Sequence, residues 1–141
     1  SLDTPEKVSA SLLLNMTAES HYSTDPAIAF FILTPQQVYE QGRGACNEFS
    51  VFACYALQQH GYNARIFCIK VKSNPARNHA VCLYQVGNQN YIMNNGQIMG
   101  PYPDLESIAL GHDPDWSSYQ VFNTWQKFQS LGAPDTEIQR K

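Results

Sequence analysis

The sequence has little charge and no long hydrophobic run. Only 15% of its 141 residues are charged, and the formal net charge at pH 7 is -3. Because no run of lysine and arginine is present to attract phosphates, nucleic-acid binding is not expected. The longest apolar run, AIAFFIL at residues 27–33, is far shorter than the ~18 residues that suggest a membrane span. We therefore expect one globular domain over residues 1–141, without membrane insertion.

Cysteine is also scarce. The four cysteines are too few and too widely spaced for a disulfide scaffold. A zinc site fits poorly, because His79 and Cys82 are three apart on a predicted strand and would point to opposite faces. No metal and no cofactor are therefore expected. The chain shows no initial methionine and no basic segment leading into an apolar one, so no targeting signal is visible.

The stretch QGRGACNEFS, residues 41–50, joins a glycine-rich turn to a predicted helix. Apolar residues recur at three- and four-residue spacing from residue 45, and Gly61 is placed to end the helix. Cys46 would then lie in the first turn, where the helix dipole stabilises a thiolate and backbone N–H groups can donate to an oxyanion. The simplest alternative is a small buried cysteine.

Three segments with strand character follow this helix, at residues 64–71, 79–86 and 89–94. A hairpin symmetric about Pro75 would place Val71 opposite His79 and Cys68 opposite Cys82. The two cysteines would then be neighbours, as reduced thiols or as a cross-strand disulfide. One face of this hairpin is almost wholly apolar, with His79 at its edge, and we expect the Cys46 helix to cover it.

The loop Gly87-Asn88 is typical of a two-residue hairpin between the second and third strands. It would place Asn94 on the same face as His79 and Asn95 on the other, whereas a three-residue loop would exchange the two asparagines. Taken alone, an asparagine before Gly96 is most simply a turn former.

The rest of the chain gives weaker signals. Helices are predicted over residues 3–16, 36–41 and 103–110, and the segment 27–33 reads as a short buried element of undecided type. Residues 116–132 mix a strand-like start with helical spacing. The tail after Pro134 is expected to fray.

Cys46, His79 and Asn94 together form a Cys-His-Asn arrangement: a thiol nucleophile, an imidazole base and an amide that orients the ring. The order of a cysteine at a helix start, a histidine opening a strand and a polar residue ending the next strand resembles the transglutaminase-like superfamily of papain-like enzymes. The matching text is TPQQVYEQGRGACNEFSVFACYALQQHGYNARIFCIKV, then NHAVCLYQV, then YIMNNG, within about residues 30–100. The bacterial transglutaminase-like cysteine proteinases look most similar, through MNNGQIMGPYPDL.

This resemblance implies an α+β core in which the Cys-bearing helix packs on an antiparallel sheet. It also implies Cys46 as nucleophile, His79 as base, and Asn94 in the position where the family has Asp. Ala45 stands where the proteinase branch commonly has Asp, so the calcium site of some members is not expected. Glu48 matches the family's acidic position, although an acidic residue in a first helical turn also stabilises the helix dipole.

The leading functional hypothesis is a cysteine-dependent hydrolase, a peptidase or amidase that acts through a thioester on a protein or peptide. A protein-glutamine transglutaminase or deamidase, including a toxin or effector, would use the same triad. A third hypothesis is a binding module that keeps the fold without catalysis. The resemblance favours a periplasmic or secreted protein, and the sequence carries no signal for an oligomeric state.

Overall fold

The computed structural model describes residues 2–16 and 45–141, with side chains for 2–13 and 48–141. The predicted elements at 27–33 and 36–41 lie outside these residues. Four α-helices are present in the described part: α1 Pro5–Met16, α2 Ala45–Gln59, α3 Leu105–His112 and α4 Trp125–Gln129. None of the described helices is both long and apolar enough to cross a bilayer.

The helix ends follow the capping residues in the sequence. The Thr4 hydroxyl accepts a hydrogen bond from the N–H of Lys7 at the start of α1. Asp104 caps α3 by accepting from the N–H of Ser107 at 2.8 Å. Gly61 follows α2 with a φ of 82°, the left-handed conformation that glycine adopts readily and that commonly ends a helix.

A six-stranded antiparallel sheet forms the other layer, in the order β4-β3-β2-β1-β5-β6. Its strands are β1 Ala64–Lys70, β2 His79–Val86, β3 Gln89–Asn94, β4 Gln97–Tyr102, β5 Ser118–Phe122 and β6 Thr136–Gln139. The first three match the predicted strands. The tail after Pro134 was expected to fray, and this is wrong, because β6 pairs with β5 along its length. The predicted α+β class is confirmed.

The sheet is covered on both faces, and the helix that carries Cys46 covers a different face from the one expected. Helix α2 packs on the face formed by Ile66, Cys68, Ala80 and Cys82. The opposite face, which includes Phe67, Ile69, Val81 and Leu83, packs against α3 and the Trp116 segment. The prediction was wrong because both faces of the β1–β2 hairpin are apolar, and alternation alone cannot say which one a given helix covers.

The register of the β1–β2 hairpin also differs from the expected one, by two residues. His79 lies opposite Ile69 rather than Val71, and Cys68 lies opposite Ala80 rather than Cys82. A 3₁₀ helix at Pro75–Arg77 makes the connection asymmetric. The shift is an even number of residues, so His79 keeps the predicted face of the sheet, whereas the pairing of the two cysteines is lost.

Candidate functional site

His79 and Asn94 lie side by side at one end of the sheet. His79 is the first residue of β2 and Asn94 is the last residue of β3. Because the two strands are antiparallel, the start of one lies beside the end of the other. The distance from Nε2 of His79 to Oδ1 of Asn94 is 2.6 Å, a short hydrogen bond. The structure thus brings together two of the three site residues that the sequence indicated.

The hairpin between β2 and β3 fixes this contact. Its loop is the predicted Gly87-Asn88 pair, and the strands keep the register of a two-residue turn. In that register Asn94 shares a face with His79, whereas Asn95 opens the next turn with a φ of 48°. Asn94 is therefore the amide that reaches the imidazole ring.

Contacts on both sides hold these strand ends in place. Before β2, the side chain of Asn78 accepts a 2.7 Å hydrogen bond from the N–H of Val71, which closes the loop that leads to His79. After β3, Ser9 of α1 donates a hydrogen bond to the carbonyl of Gly96. Helix α1 therefore holds the turn that follows Asn94.

The hydrogen bond assigns roles to the two ring nitrogens of His79. An amide oxygen can only accept, so Nε2 of His79 carries a hydrogen and donates it to Asn94. The Asn94 amide nitrogen lies 3.8 Å from the sulfur of Met99, which fits this orientation of the amide. In the neutral imidazole, Nδ1 then holds the free lone pair and is the atom that can accept a proton.

Helix α2 begins at the same end of the sheet. Its other end lies against the start of β1, where Cys54 and Gln58 donate to the carbonyl of Ala64 at 3.4 and 2.7 Å. A short loop joins α2 to β1, and the two pack together, so they run in opposite directions. From Cys54 back to Cys46 the helix extends about 12 Å, toward the last residues of β1. His79, the first residue of β2, lies opposite Ile69 at that end of β1. The Cys46 side chain lies outside the described atoms.

The face difference changes how Cys46 relates to His79. The His79 ring lies on the face of the sheet away from α2, because it shares that face with Val81 and Leu83. The expectation that α2 covers His79 directly is therefore wrong. The sheet itself lies between α2 and the His79 ring.

The three other cysteines lie in the core rather than at the sheet end. Cys54 and Cys82 are 0% exposed and Cys68 is 7% exposed, and all three are reduced cysteines. Burial raises the pKa of the Cys82 thiol well above its ordinary value, with Cys54 beside it adding to the effect. Buried thiols of this kind are poor nucleophiles, which leaves Cys46 as the candidate.

Glu48, two positions after Cys46, is 3% exposed. The structure places this carboxylate inside the protein, on the first turn of α2. Glu48 lies in the first turn of α2, where the positive end of the helix dipole favours a negative charge.

Sequence reasoning missed His112. His112 lies in a polar stretch of the sequence that carries no functional signal, but its ring stacks on that of His79 with a centroid distance of 5.0 Å and an interplanar angle of 12°. Beside it, Arg77 forms an ion pair with the buried carboxylate of Asp113. No sequence signal connected α3 with the histidine strand, because the contact depends on which helix covers which face of the sheet. Within residues 2–16 and 45–141, no group of three or more His, Cys, Asp and Glu is placed to hold a metal ion.

The sequence matches no protein-family model and no curated protein. Among solved structures, two forms of Legionella pneumophila LapG are similar to this chain. The form described as EGTA-treated has a TM-score of 0.43 and 18% sequence identity over 93% of this chain and 70% of its own. The other has a TM-score of 0.44 and 18% identity over 91% of this chain and 70% of its own. These values indicate at most a distant relationship.

Proposed function

We propose that the protein is a cysteine-dependent amide hydrolase, with Cys46 as nucleophile, His79 as general base and Asn94 as the residue that orients the imidazole. The observation that carries this proposal is the 2.6 Å hydrogen bond between His79 and Asn94 at the end of the sheet where the Cys46 helix begins. A histidine with one ring nitrogen held by an amide and the other free is suited to accept the proton of a thiol.

In the first step, the Cys46 thiol gives its proton to Nδ1 of His79, and the sulfur bonds to the carbonyl carbon of the substrate. The carbonyl π electrons move to the oxygen, where N–H groups of the first turn of α2 can stabilise the negative charge. Collapse of this intermediate breaks the C–N bond, and the departing amine takes the proton from Nδ1. Water then gives a proton to Nδ1 of His79 and bonds through its oxygen to the thioester carbon. The C–S bond breaks, the Cys46 sulfur takes the proton back from Nδ1, and the acid is released.

Asn94 differs from a carboxylate in this arrangement. Its amide oxygen accepts from Nε2 and so favours the tautomer that carries a hydrogen there, but it adds no negative charge to stabilise an imidazolium. The thiolate must then be stabilised mainly by the imidazolium itself and by the dipole of α2. The dipole of α2 therefore contributes a larger share of the thiolate stabilisation than it would in a Cys-His-Asp arrangement.

Part of the sheet end is accessible to solvent. His79 and Asn94 are each half-buried, and the loop that precedes His79 is exposed from residue 72 to residue 78. An extended substrate chain could approach His79 along this exposed loop. We therefore propose a protein or peptide as the substrate.

The decisive experiment is the pH dependence of Cys46 alkylation, followed at that site by mass spectrometry. If the proposal is correct, Cys46 reacts well below the ordinary thiol pKa of about 8.5, and His79→Ala moves the reaction back toward that value. His60→Ala is the matched control, since His60 is an exposed histidine at the far end of the α2 segment. The buried cysteines should react only on unfolding.

An ordinary thiol profile that His79→Ala leaves unchanged would contradict catalysis and favour a binding module. If Cys46 is activated, a peptide library incubated with and without a primary amine separates hydrolysis from acyl transfer. We expect acid products in both cases, because the exposed loop at residues 72–78 gives water access to His79. Amine adducts as the main product would identify a transglutaminase instead.

A further inference from the structure

We infer that His112 is a positioning residue that holds the His79 ring in the plane from which Nδ1 can receive the thiol proton. The inference rests on the proposed function for its consequence in catalysis. Its structural basis, the stacking of the two imidazole rings, is independent of that proposal.

The stack restrains a motion that the hydrogen bond to Asn94 leaves open. A single hydrogen bond at Nε2 fixes one corner of the ring, so the ring can still swing about that corner. His79 is half-buried, so the packed core does not enclose it. The ring of His112 lies nearly parallel to it, 5.0 Å away between centroids, and covers one side. The two contacts together define both the corner and the plane.

The loop that precedes β2 holds His112 in place. Its Nε2 donates a 2.8 Å hydrogen bond to the carbonyl of Arg77, two residues before His79. The Arg77 side chain in turn pairs with Asp113, the residue after His112. These contacts tie the end of α3 to the loop before β2, so the two imidazole rings are carried by one cross-linked unit.

Arg77 and Asp113, the charged residues that lie beside His112, form an ion pair with each other. The Arg77 guanidinium and the Asp113 carboxylate neutralise each other, and the Asp113 pKa is lowered chiefly by the N–H of Asp115, then by Arg77. His112 accordingly acts on His79 through packing, and a neutral aromatic ring at position 112 can replace it.

The test compares His112→Ala with His112→Phe, which keeps an aromatic plane but loses the hydrogen bond to Arg77. Two measurements are made on the full chain: the rate of Cys46 alkylation at neutral pH, and the ring-nitrogen NMR signals of His79. We expect His112→Ala to slow alkylation by roughly three- to tenfold, the range expected for loss of an aromatic pair. We expect His112→Phe to stay within about twofold of the unsubstituted protein.

The NMR signals test positioning without relying on Cys46. In the unsubstituted protein Nε2 of His79 should be the protonated nitrogen of the neutral ring, and His112→Ala should give a mixture of tautomers. Thermal unfolding of each variant shows whether a general loss of structure explains the change, and His60→Ala again serves as the histidine control. His112 is exposed, so both variants should fold.

Three results would overturn the inference: an unchanged His79 tautomer in His112→Ala, a His112→Phe variant as impaired as His112→Ala, or an equal effect of His60→Ala. The proposed function fails separately, when Cys46 in the unsubstituted protein reacts as an ordinary thiol and His79→Ala has no effect. In that case the NMR comparison still decides whether His112 positions the ring.

Discussion

Removing the amide of Asn94 is the perturbation that addresses the site most directly. In Asn94→Ala, His79 keeps its strand, its neighbours and the stacked His112 ring, and loses only the acceptor at 2.6 Å from Nε2. We expect the rate of Cys46 alkylation at neutral pH to fall, because an imidazolium without its partner is less stable and its ring is less well oriented.

The size of the effect follows from the burial of the pair. A hydrogen bond to a charged group contributes about 1.5–3 kcal/mol, and the imidazolium form of His79 is such a group. Both residues are half-buried, so water can replace part of the lost interaction and the lower end of the range applies. About 1.4 kcal/mol corresponds to a tenfold change, and we expect a loss of about tenfold.

The assay is the same site-specific alkylation, measured from about pH 5 to pH 9. Asn90→Ala is the matched control: the same residue type on the same face of β3, about 13 Å away and hydrogen-bonded to Gln85 instead of His79. Asn94→Asp, which restores an acceptor, should react at least as fast as the unsubstituted protein. Equal rates for the two alanine variants, or a slow Asn94→Asp, would refute the reasoning.

Two further expectations concern stability. Gly96→Ala should be less stable than Gly61→Ala. Both glycines have φ above 80°, but only at Gly96 would an added Cβ meet α1, 3.0 Å from its nearest atom. We expect a difference of about 1–2 kcal/mol in the free energy of unfolding, measured by denaturant titration. The Asp113 pKa is lowered first by the Asp115 N–H and then by Arg77, so its contribution is present above its unfolded pKa of about 3.9 and is lost as pH falls. The unfolding midpoint should drop between about pH 5 and pH 3, and Asp113→Asn should reduce that drop.

The elements nearest the site could be predicted because strong local signals mark their ends. Gly61 ends α2, and Gly87-Asn88 sets the β2–β3 register, so Asn94 was correctly placed on the face of His79. Both are cases in which a glycine fixes the backbone within a few residues. The hydrogen bond between the two side chains followed from that register.

The later strands lacked such signals or had them misread. Asn95-Gly96 is a common hairpin turn, yet the pair was considered mainly as an end to β3, so β4 was not expected. Strand β6 is exposed along its whole length and shows no apolar alternation to indicate a strand. Its position comes from pairing with β5, a long-range contact that local patterns do not report.

The sequence could not predict which face of the sheet α2 covers, for a different reason. In β1, Ile66 and Cys68 form one apolar face while Phe67 and Ile69 form the other. A strand that is apolar on both sides is buried on both sides, but the pattern does not assign a particular helix to either. The contact between His79 and His112 depends on that assignment, which explains why His112 was missed.

The position of α2 on the face opposite His79 separates the residues that stabilise the fold from those that orient the imidazole. With α2 on one face and His79 on the other, the sheet itself separates the core under the helix from the imidazole. Changes in the α2 core, such as Leu57→Ala, should then lower stability by about 2–5 kcal/mol while leaving the His79 tautomer unchanged. Changes in the loop before His79 should alter the His79 tautomer and leave the free energy of unfolding nearly unchanged, because residues 72–78 are exposed and contact the ring's surroundings rather than the core. Stability and reactivity should therefore respond to different parts of the chain.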